Sequence, residues 1–338
     1  MLVLARARLG LRAAPLARGY SSPAPAKVPI ALIAELRKAH PVPLAQAREA
    51  LEKSGHDVSA AIAYLTSSSA GANKAAKVAG RATTEGAIAV SLLDNRRAAM
   101  VHLACETDFV ARNDVFRALA RSIAETAAFL DPPPEGADVE GTQARTGTEG
   151  VDPIREFAVD QLTAAPVISL GDKRTGDTDA VQTVAQALLG GVSATGENLV
   201  LRRAVTFAAP FPATEHRLVP GAYTHGGDES SGKIGGLVIL DVAAQGGADG
   251  ALNALLAKNG LEDELNALAR NLARQVVGFP TKALRPEPGV ADDEALLAQP
   301  FMMAGSDQPV AQAVADWARD RGLTVEVVGM RRWCTDDL

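Results

Sequence analysis

Residues 85–113 read EGAIAVSLLDNRRAAMVHLACETDFVARN, and this stretch decides the fold of the chain. Residues 86–93 and 98–106 are largely apolar runs of strand length, and the polar run 94–97 separates them. Two such runs around a short polar turn predict a β-hairpin. The sequence therefore indicates an antiparallel sheet at this point of the chain.

A helix is predicted directly after the hairpin, with Asn113 or Asp114 as its cap and an end near Leu130. Similar segments recur later, as strands at 199–207, 222–225 and 234–242 and a helix at about 261–277. This order indicates an α+β fold with two related subdomains, each a small antiparallel sheet packed with helices. We place them at 85–195 and 196–338. The same patterns predict helices at 154–164, 179–189 and 310–321, a strand at 323–331 and a surface loop at 131–151.

Three short helices are predicted before the hairpin. Prolines at 41 and 43 separate the first from the second, Gly55 ends the second, and Asp57 caps the third. Three helices in so few residues are typical of a bundle of the ubiquitin-associated (UBA) type. The bundle is predicted to span 28–66, with helices at 30–38, 44–54 and 58–65, and residues 67–84 are interpreted as a linker.

The N-terminal segment has the composition of a mitochondrial transit peptide. Its first acidic residue is Glu35, and four arginines precede it among abundant Ala and Leu. We predict a transit peptide at 1–20, cleavage after Tyr20 and a location in the mitochondrial matrix. A merely disordered tail is the alternative.

Bulk charge and hydropathy narrow the classes of partner. Removal of residues 1–20 with their four arginines changes the formal net charge from −6 to −10, so we expect no direct nucleic-acid binding. No apolar run approaches the length that spans a bilayer, so we expect no membrane contact. Cys105 and Cys334 match no metal-ligand spacing and are interpreted as reduced thiols.

Residues 227–233 read GDESSGK and imitate the start of a nucleotide-binding P-loop. Position 234 is Ile rather than the Ser or Thr that ligates magnesium, and an apolar strand pattern follows instead of a helix. We therefore interpret the segment as a hairpin connection, with a P-loop NTPase as the rival. The five histidines form no H-x-x-x-H pair, and no G-x-S-x-G elbow is present. The sequence indicates a protein that is not an enzyme and has no cofactor or metal of its own.

The run Thr107-Asp108-Phe109-Val110-Ala111 lies where the second predicted strand ends and a helix begins. An aromatic side chain at such a junction either plugs the core beneath the hairpin or projects outward to meet a partner. For Phe109, position alone leaves the two possibilities equal. Asp108 is either a turn or cap residue or part of a docking surface.

These residues resemble the elongation factor Ts family in its mitochondrial form. The family signature Thr-Asp-Phe-Val-Ala stands at 107–111, and a second one, Gly-Glu-Asn followed by paired arginines, stands at 196–203. Three further family motifs occur in the expected order, at 77–86, at 223–226 with 234–236, and at 299–302. The match covers residues 30 to about 333. The rival interpretation, a ubiquitin- or peptide-binding adaptor, rests on the N-terminal bundle alone and leaves the rest of the chain unexplained.

The resemblance implies a guanine-nucleotide exchange factor for mitochondrial elongation factor Tu. It implies that Asp108 and Phe109, with Thr107 and Val110 beside them, intrude into the GTPase domain of that partner. Three further contacts are implied, by His225, by the patch of Phe301 and Met302, and by Leu44 of the bundle; a core role is the alternative for the apolar ones. The long coiled coil of bacterial members is missing from 285–299, so we expect a 1:1 complex.

Overall fold

The computed structural model describes residues 28–40, 42, 44–66, 75–130, 152–168, 182–210, 215–246, 251–258, 260–302 and 307–337. The predicted transit peptide and the predicted loop at 131–151 lie outside these residues. The described chain consists of an N-terminal helical unit and two antiparallel sheets with helices packed against them.

The N-terminal unit consists of α1 (Ile30–Ala39), α2 (Leu44–Lys53) and α3 (Val58–Thr66). All three predicted helices are confirmed, because each places small or aliphatic side chains in one shared core that includes Leu36, Leu51 and Ala61. The predicted cap is also present, since Asp57 Oδ1 accepts a hydrogen bond of 2.8 Å from the backbone N–H of Ala60.

The first sheet consists of β1 (Glu85–Leu93), β2 (Arg97–Cys105), β3 (Arg155–Glu156), β4 (Val200–Ala208) and β6 (Ser231–Gly232). Their order in the sheet is β3-β4-β2-β1-β6. The predicted hairpin is confirmed, since β1 and β2 pair antiparallel from Glu85 opposite Cys105 to Leu93 opposite Arg97. Both strands lie inside the sheet rather than at its edges. Asp94 and Asn95 have positive φ angles of 50° and 51°, as a tight type I′ hairpin turn requires.

One face of the first sheet is covered by helix α5 (Asp114–Leu130), as predicted. Phe116, Ile123 and the alanines between them pack on Ala89, Val101 and other small residues of β1 and β2. The short helix α4 (Asp108–Ala111) lies between β2 and α5, and α6 (Val159–Ala164) and α7 (Val184–Thr195) complete this layer.

The second sheet has the order β5-β7-β8, formed by β5 (His216–His225), β7 (Ile234–Ala244) and β8 (Leu323–Cys334). Helices α8 (Ala251–Leu256), α9 (Leu261–Gly278) and α10 (Val310–Arg319) cover its outer face. At Gly221 the backbone of α9 comes so close that a Cβ atom would lie 2.3 Å from the carbonyl carbon of Ala269. Glycine at this position therefore allows the helix to lie directly on the sheet.

The inner faces of the two sheets pack against each other. Ile88, Met100 and Phe207 of the first sheet share a core with Leu237 and Ile239 of the second. The result is a helix–sheet–sheet–helix arrangement, which agrees with the predicted α+β class.

Three predicted elements need correction. The strand predicted at 199–207 falls within the predicted second subdomain, but as β4 it pairs with β2 of the first sheet. This pairing is long-range, so the local sequence pattern does not encode it. The helix predicted at 154–164 begins as β3, because Arg155 and Glu156 pair with β4. The helix predicted at 179–189 instead spans Val184–Thr195, since Thr183 and Gln186 form a capping box at its start.

Candidate functional site

The run 107–111, here called the corner, turns the chain from the end of β2 into α5. Thr107 caps the short helix α4, and its hydroxyl oxygen accepts a hydrogen bond from the N–H of Val110. Val110 and Ala111 turn inward onto the core of the first sheet, whereas Phe109 is 83% exposed. Of the two possibilities for Phe109, the structure therefore gives the outward-projecting one.

Asp108 occupies the first turn of α4, where a negative charge interacts favourably with the free N–H groups of a helix start. Its carboxylate lies 3.1 Å from Arg112 Nη2, and the Asp108 side chain is 39% exposed and that of Arg112 68%. Such an ion pair contributes little to stability. Asp108 is thus a charged group that a partner can reach.

The corner is joined to the segment after α7 by reciprocal hydrogen bonds, here called the clasp. The Glu197 carboxylate accepts from the N–H groups of Glu106 and Thr107, at 3.1 and 3.0 Å, and from the Thr107 hydroxyl at 2.6 Å. In return, Glu106 Oε1 accepts from the N–H of Asn198 at 2.7 Å. Burial raises the pKa of the neighbouring Cys105 thiol to about 12, and the negative charge of Glu197 adds to this effect.

His225 directly precedes a loop that lies beside the corner. It is the exposed last residue of β5, and the loop 226–233 after it lines a shallow cleft together with Asp108 and Arg112. The same cleft is bordered by Gly86, at the start of β1, and by Lys233. The structure therefore brings two of the sequence-predicted sites, Asp108 and His225, to the same side of the molecule.

The loop 226–233 is not a phosphate cradle. Within the described residues, the N–H groups of Ser230 and Ser231 donate to the loop's own Asp228, and the segment continues into β7 rather than a helix. Burial acts to raise the pKa of the Asp228 carboxyl, but hydrogen bonds from Ser230 and Ser231 outweigh this effect and lower that pKa below its ordinary value. The interpretation as a hairpin connection is confirmed.

The other predicted contact residues lie elsewhere. Phe301 is 6% exposed and packs in the core of the second sheet, whereas Met302 is 40% exposed beside the end of α9. Leu44 is 53% exposed and begins α2 of the N-terminal unit. These three side chains are not part of the cleft.

Two residues of the site could not be identified from the sequence as contacts. Glu197 belongs to a recognised motif, yet nothing in the sequence shows that it reaches a segment ninety residues earlier. In the sequence, Asp228 is recognisable only as part of the run that imitates a P-loop.

Comparisons with known proteins agree with one another. A sequence-family model described as Elongation factor TS matches residues 106–288. Elongation factor Ts, mitochondrial, of Cryptococcus neoformans var. neoformans serotype D (strain JEC21) is 51% identical over 347 aligned positions, which cover 98% of this chain and 93% of the relative. This chain belongs to the elongation factor Ts family. The Coprinopsis cinerea protein named Elongation factor Ts, mitochondrial, is 36% identical and covers 94% of the chain and 93% of its own length.

Membership of the elongation factor Ts family confirms the resemblance noted in the sequence. Elongation factor Ts proteins are nucleotide exchange factors for elongation factor Tu in translation elongation. The relatives are mitochondrial by name, which supports the predicted mitochondrial location. In the described part of the chain no helix has the length and hydropathy to cross a membrane, and no group of three or more His, Cys, Asp or Glu side chains is arranged to hold a metal ion.

Proposed function

We propose that this chain binds mitochondrial elongation factor Tu in its GDP form, promotes release of GDP and so allows GTP to bind during translation elongation. The observation that carries the proposal is Phe109, a large aromatic side chain that is 83% exposed on a corner tied to the sheet. Aromatic side chains, Phe among them, are enriched at protein–protein interfaces, so an exposed Phe on a fixed corner suits a partner-binding role.

The physical mechanism requires no chemistry from this chain. A GTPase holds GDP largely through contacts with the phosphates and Mg²⁺. A partner that binds the nucleotide-free GTPase more tightly than the GDP form must weaken GDP binding by the same factor. We propose that Asp108 and Phe109 together wedge between helices of the GTPase domain and so disturb the phosphate and magnesium site. Because the corner is already ordered, little conformational entropy is lost on docking.

The other residues of the corner have supporting roles in this proposal. Thr107 caps α4 and Val110 packs inward, so both fix the direction in which Phe109 points. His225, on the same side of the molecule, is proposed as a second contact with the GTPase domain.

A second contact region is proposed for the β-barrel part of elongation factor Tu. Met302 supplies the exposed side chain and Phe301 supports it from the core. Leu44 of the N-terminal unit, which we regard as a UBA-like bundle over 28–66, is proposed to pack on a helix of the GTPase domain. The remaining segments are proposed as a transit peptide (1–20), a linker (67–84) and subdomains at 85–195 and 196–338.

A 1:1 complex is proposed because of the segment 285–299. The only helix described within this segment is a 3-10 turn at Asp292–Glu294, whereas a coiled coil that could join two complexes needs long helices. Measurement of the molar mass of the purified complex by light scattering tests this directly.

The exchange activity is tested by the release of labelled GDP from mitochondrial elongation factor Tu, with and without this protein and with excess unlabelled GDP. We expect faster release that saturates with protein concentration. Release at the intrinsic rate over the whole concentration range would contradict the proposed function.

A further inference from the structure

We propose that Glu197 is a positioning residue for nucleotide exchange, because its carboxylate fixes the corner, and with it Phe109, before the partner binds. This inference rests on the proposed function. It assigns a role to a residue that makes no contact with the nucleotide and that is not among the predicted contact residues.

The corner needs an external support. Helix α4 has four residues, which is far below the length at which a helix is stable by itself. Phe109, the largest side chain of the corner, is 83% exposed and so contributes almost no burial. The inward-facing Val110 and Ala111 attach one side of the corner to the core, but they do not satisfy the backbone N–H groups that precede α4.

Glu197 provides that support. One carboxylate oxygen accepts from the N–H groups of both Glu106 and Thr107, and the other accepts from the Thr107 hydroxyl at 2.6 Å. Hydrogen bonds to a charged acceptor are stronger than those between neutral groups. The three bonds involve the two residues that connect β2 to α4, so they set the direction in which the corner leaves the sheet.

The position of Glu197 is itself fixed from several sides. Helix α7 ends at Thr195, and the next residue, Gly196, turns the chain sharply with its φ of 80°. The N–H of Glu197 donates to the Thr195 hydroxyl at 3.3 Å. The next residue, Asn198, is 8% exposed, and its side chain donates to the carbonyl of Arg81 at 3.0 Å. The carboxylate is therefore presented to the corner by an anchored segment, not by a mobile loop.

Loss of the carboxylate should release the corner without unfolding the chain. Glu197 is half-buried and lies outside the apolar clusters of the described residues, so Glu197→Ala removes no core packing. A mobile corner must be ordered when the partner binds, and this cost weakens binding of the nucleotide-free GTPase. Weaker binding of that state means that the partner weakens GDP binding less. We expect slower GDP release as the consequence.

The test is a double-mutant cycle in the full chain, with wild type, Glu197→Ala, Phe109→Ala and the double variant assayed for GDP release from mitochondrial elongation factor Tu. We expect Glu197→Ala to lower the apparent second-order rate of exchange roughly tenfold, the effect of about 1.4 kcal/mol. In the Phe109→Ala background the same change should have little further effect, because Glu197 acts through the corner. Glu197→Gln, which keeps an acceptor oxygen, should give an intermediate rate.

Hydrogen–deuterium exchange supplies a readout that general destabilisation would not reproduce. In Glu197→Ala, peptides covering 105–112 should exchange faster, while those covering α9 keep their wild-type protection. Glu326→Ala, which removes an exposed carboxylate of β8 from its ion pair with Arg285, is the control. It should leave the rate of GDP release unchanged.

Two outcomes would overturn the inference while the proposed function survives: a wild-type rate for Glu197→Ala, or equal losses from that change in both backgrounds. If Glu197→Ala fails to fold, Glu197→Gln replaces it in the test. A wild-type rate of GDP release for Glu197→Gln, together with faster deuterium exchange at 105–112, would count against the inference. If wild type itself gives no acceleration, the proposed function fails together with the inference.

Discussion

At the scale of single residues, the corner places an exposed side chain directly beside side chains that are fixed to the fold. Thr107 and Val110 are held by hydrogen bonds and packing, whereas Phe109 between them is 83% exposed. As the proposed binding residue, Phe109 is effective only if its neighbours keep it in place. The corner therefore combines a residue that contributes little to folding with neighbours that contribute mainly to folding.

His102 leads to a prediction about pH. It is 1% exposed on β2, and burial, followed by the charges of Arg203 and Arg202, lowers its pKa to about 4, with only Asp337 acting in the opposite direction. The unfolded chain therefore binds a proton near pH 6.5 that the folded chain does not bind until about pH 4. We expect the free energy of unfolding to fall through this window as the pH is lowered, by at most on the order of 3 kcal/mol.

His102→Leu removes this titration, because it replaces the imidazole with an apolar side chain of similar bulk. Urea unfolding of both proteins at pH 7 and pH 5 is the measurement, and the variant should lose less stability on acidification. An identical loss in both proteins would show that His102 does not titrate in this way.

At the scale of elements, α9 holds the 299–302 motif through one buried side chain. Gln275 is fully buried, and its amide group donates to Gln299 Oε1 and to the Pro300 carbonyl, both at 3.1 Å. Its oxygen accepts from the N–H of Met302 at 3.1 Å. The backbone of the exposed Met302 is thus held by a buried side chain of α9.

Gln275→Leu should destabilise the chain by about 2 kcal/mol, because it leaves buried polar groups without partners. Gln312→Leu is the matched control: Gln312 is exposed on α10, where its amide donates to Asp316, and its loss should cost less than about 0.5 kcal/mol. Thermal or urea unfolding compares the two. Equal effects would mean that the buried network contributes nothing beyond a surface hydrogen bond.

The sequence predicted those elements whose pattern is local and repeated. The hairpin of β1 and β2, the helix α5 and the long helix α9 are of this kind, because their apolar faces recur with the period of a strand or a helix. The two-residue strands β3 and β6 were missed, because they exist only through pairing with β4 and β1. The clasp was missed for the same reason, since Glu197 and Thr107 meet only in the folded chain.

At the scale of the whole molecule, the loop 226–233 connects the two sheets beside the corner. It leaves β5 of the second sheet, adds β6 to the edge of the first, and places Asp228 3.7 Å from Arg121 and 4.0 Å from Arg117 of α5. Because α5 begins directly after the corner, this loop also sets the position of His225 relative to Phe109.

Asp228→Ala should lower the melting temperature at pH 7, because the carboxylate accepts several hydrogen bonds that alanine cannot replace. The pKa of Asp228 is lowered in the folded chain, so its contribution is present above the ordinary pKa of about 3.9 and is lost as the pH falls through the lower, folded-state pKa. The difference between wild type and variant should therefore shrink below about pH 4. Glu229→Ala, a change at the neighbouring exposed carboxylate, should leave the melting temperature unaltered; a shift as large as that of Asp228→Ala would contradict this assignment.

The central claim is that Phe109 drives GDP release, and Phe109→Ala tests it most directly when compared with Phe129→Ala. Phe129 is also exposed, at 49%, but lies near the far end of α5, roughly 22 Å along the helix from its start. Labelled GDP release from mitochondrial elongation factor Tu is measured for both variants, with their melting temperatures. We predict that Phe109→Ala loses at least about tenfold in exchange rate at an unchanged melting temperature, while Phe129→Ala matches wild type. A wild-type exchange rate for a folded Phe109→Ala protein would contradict the account.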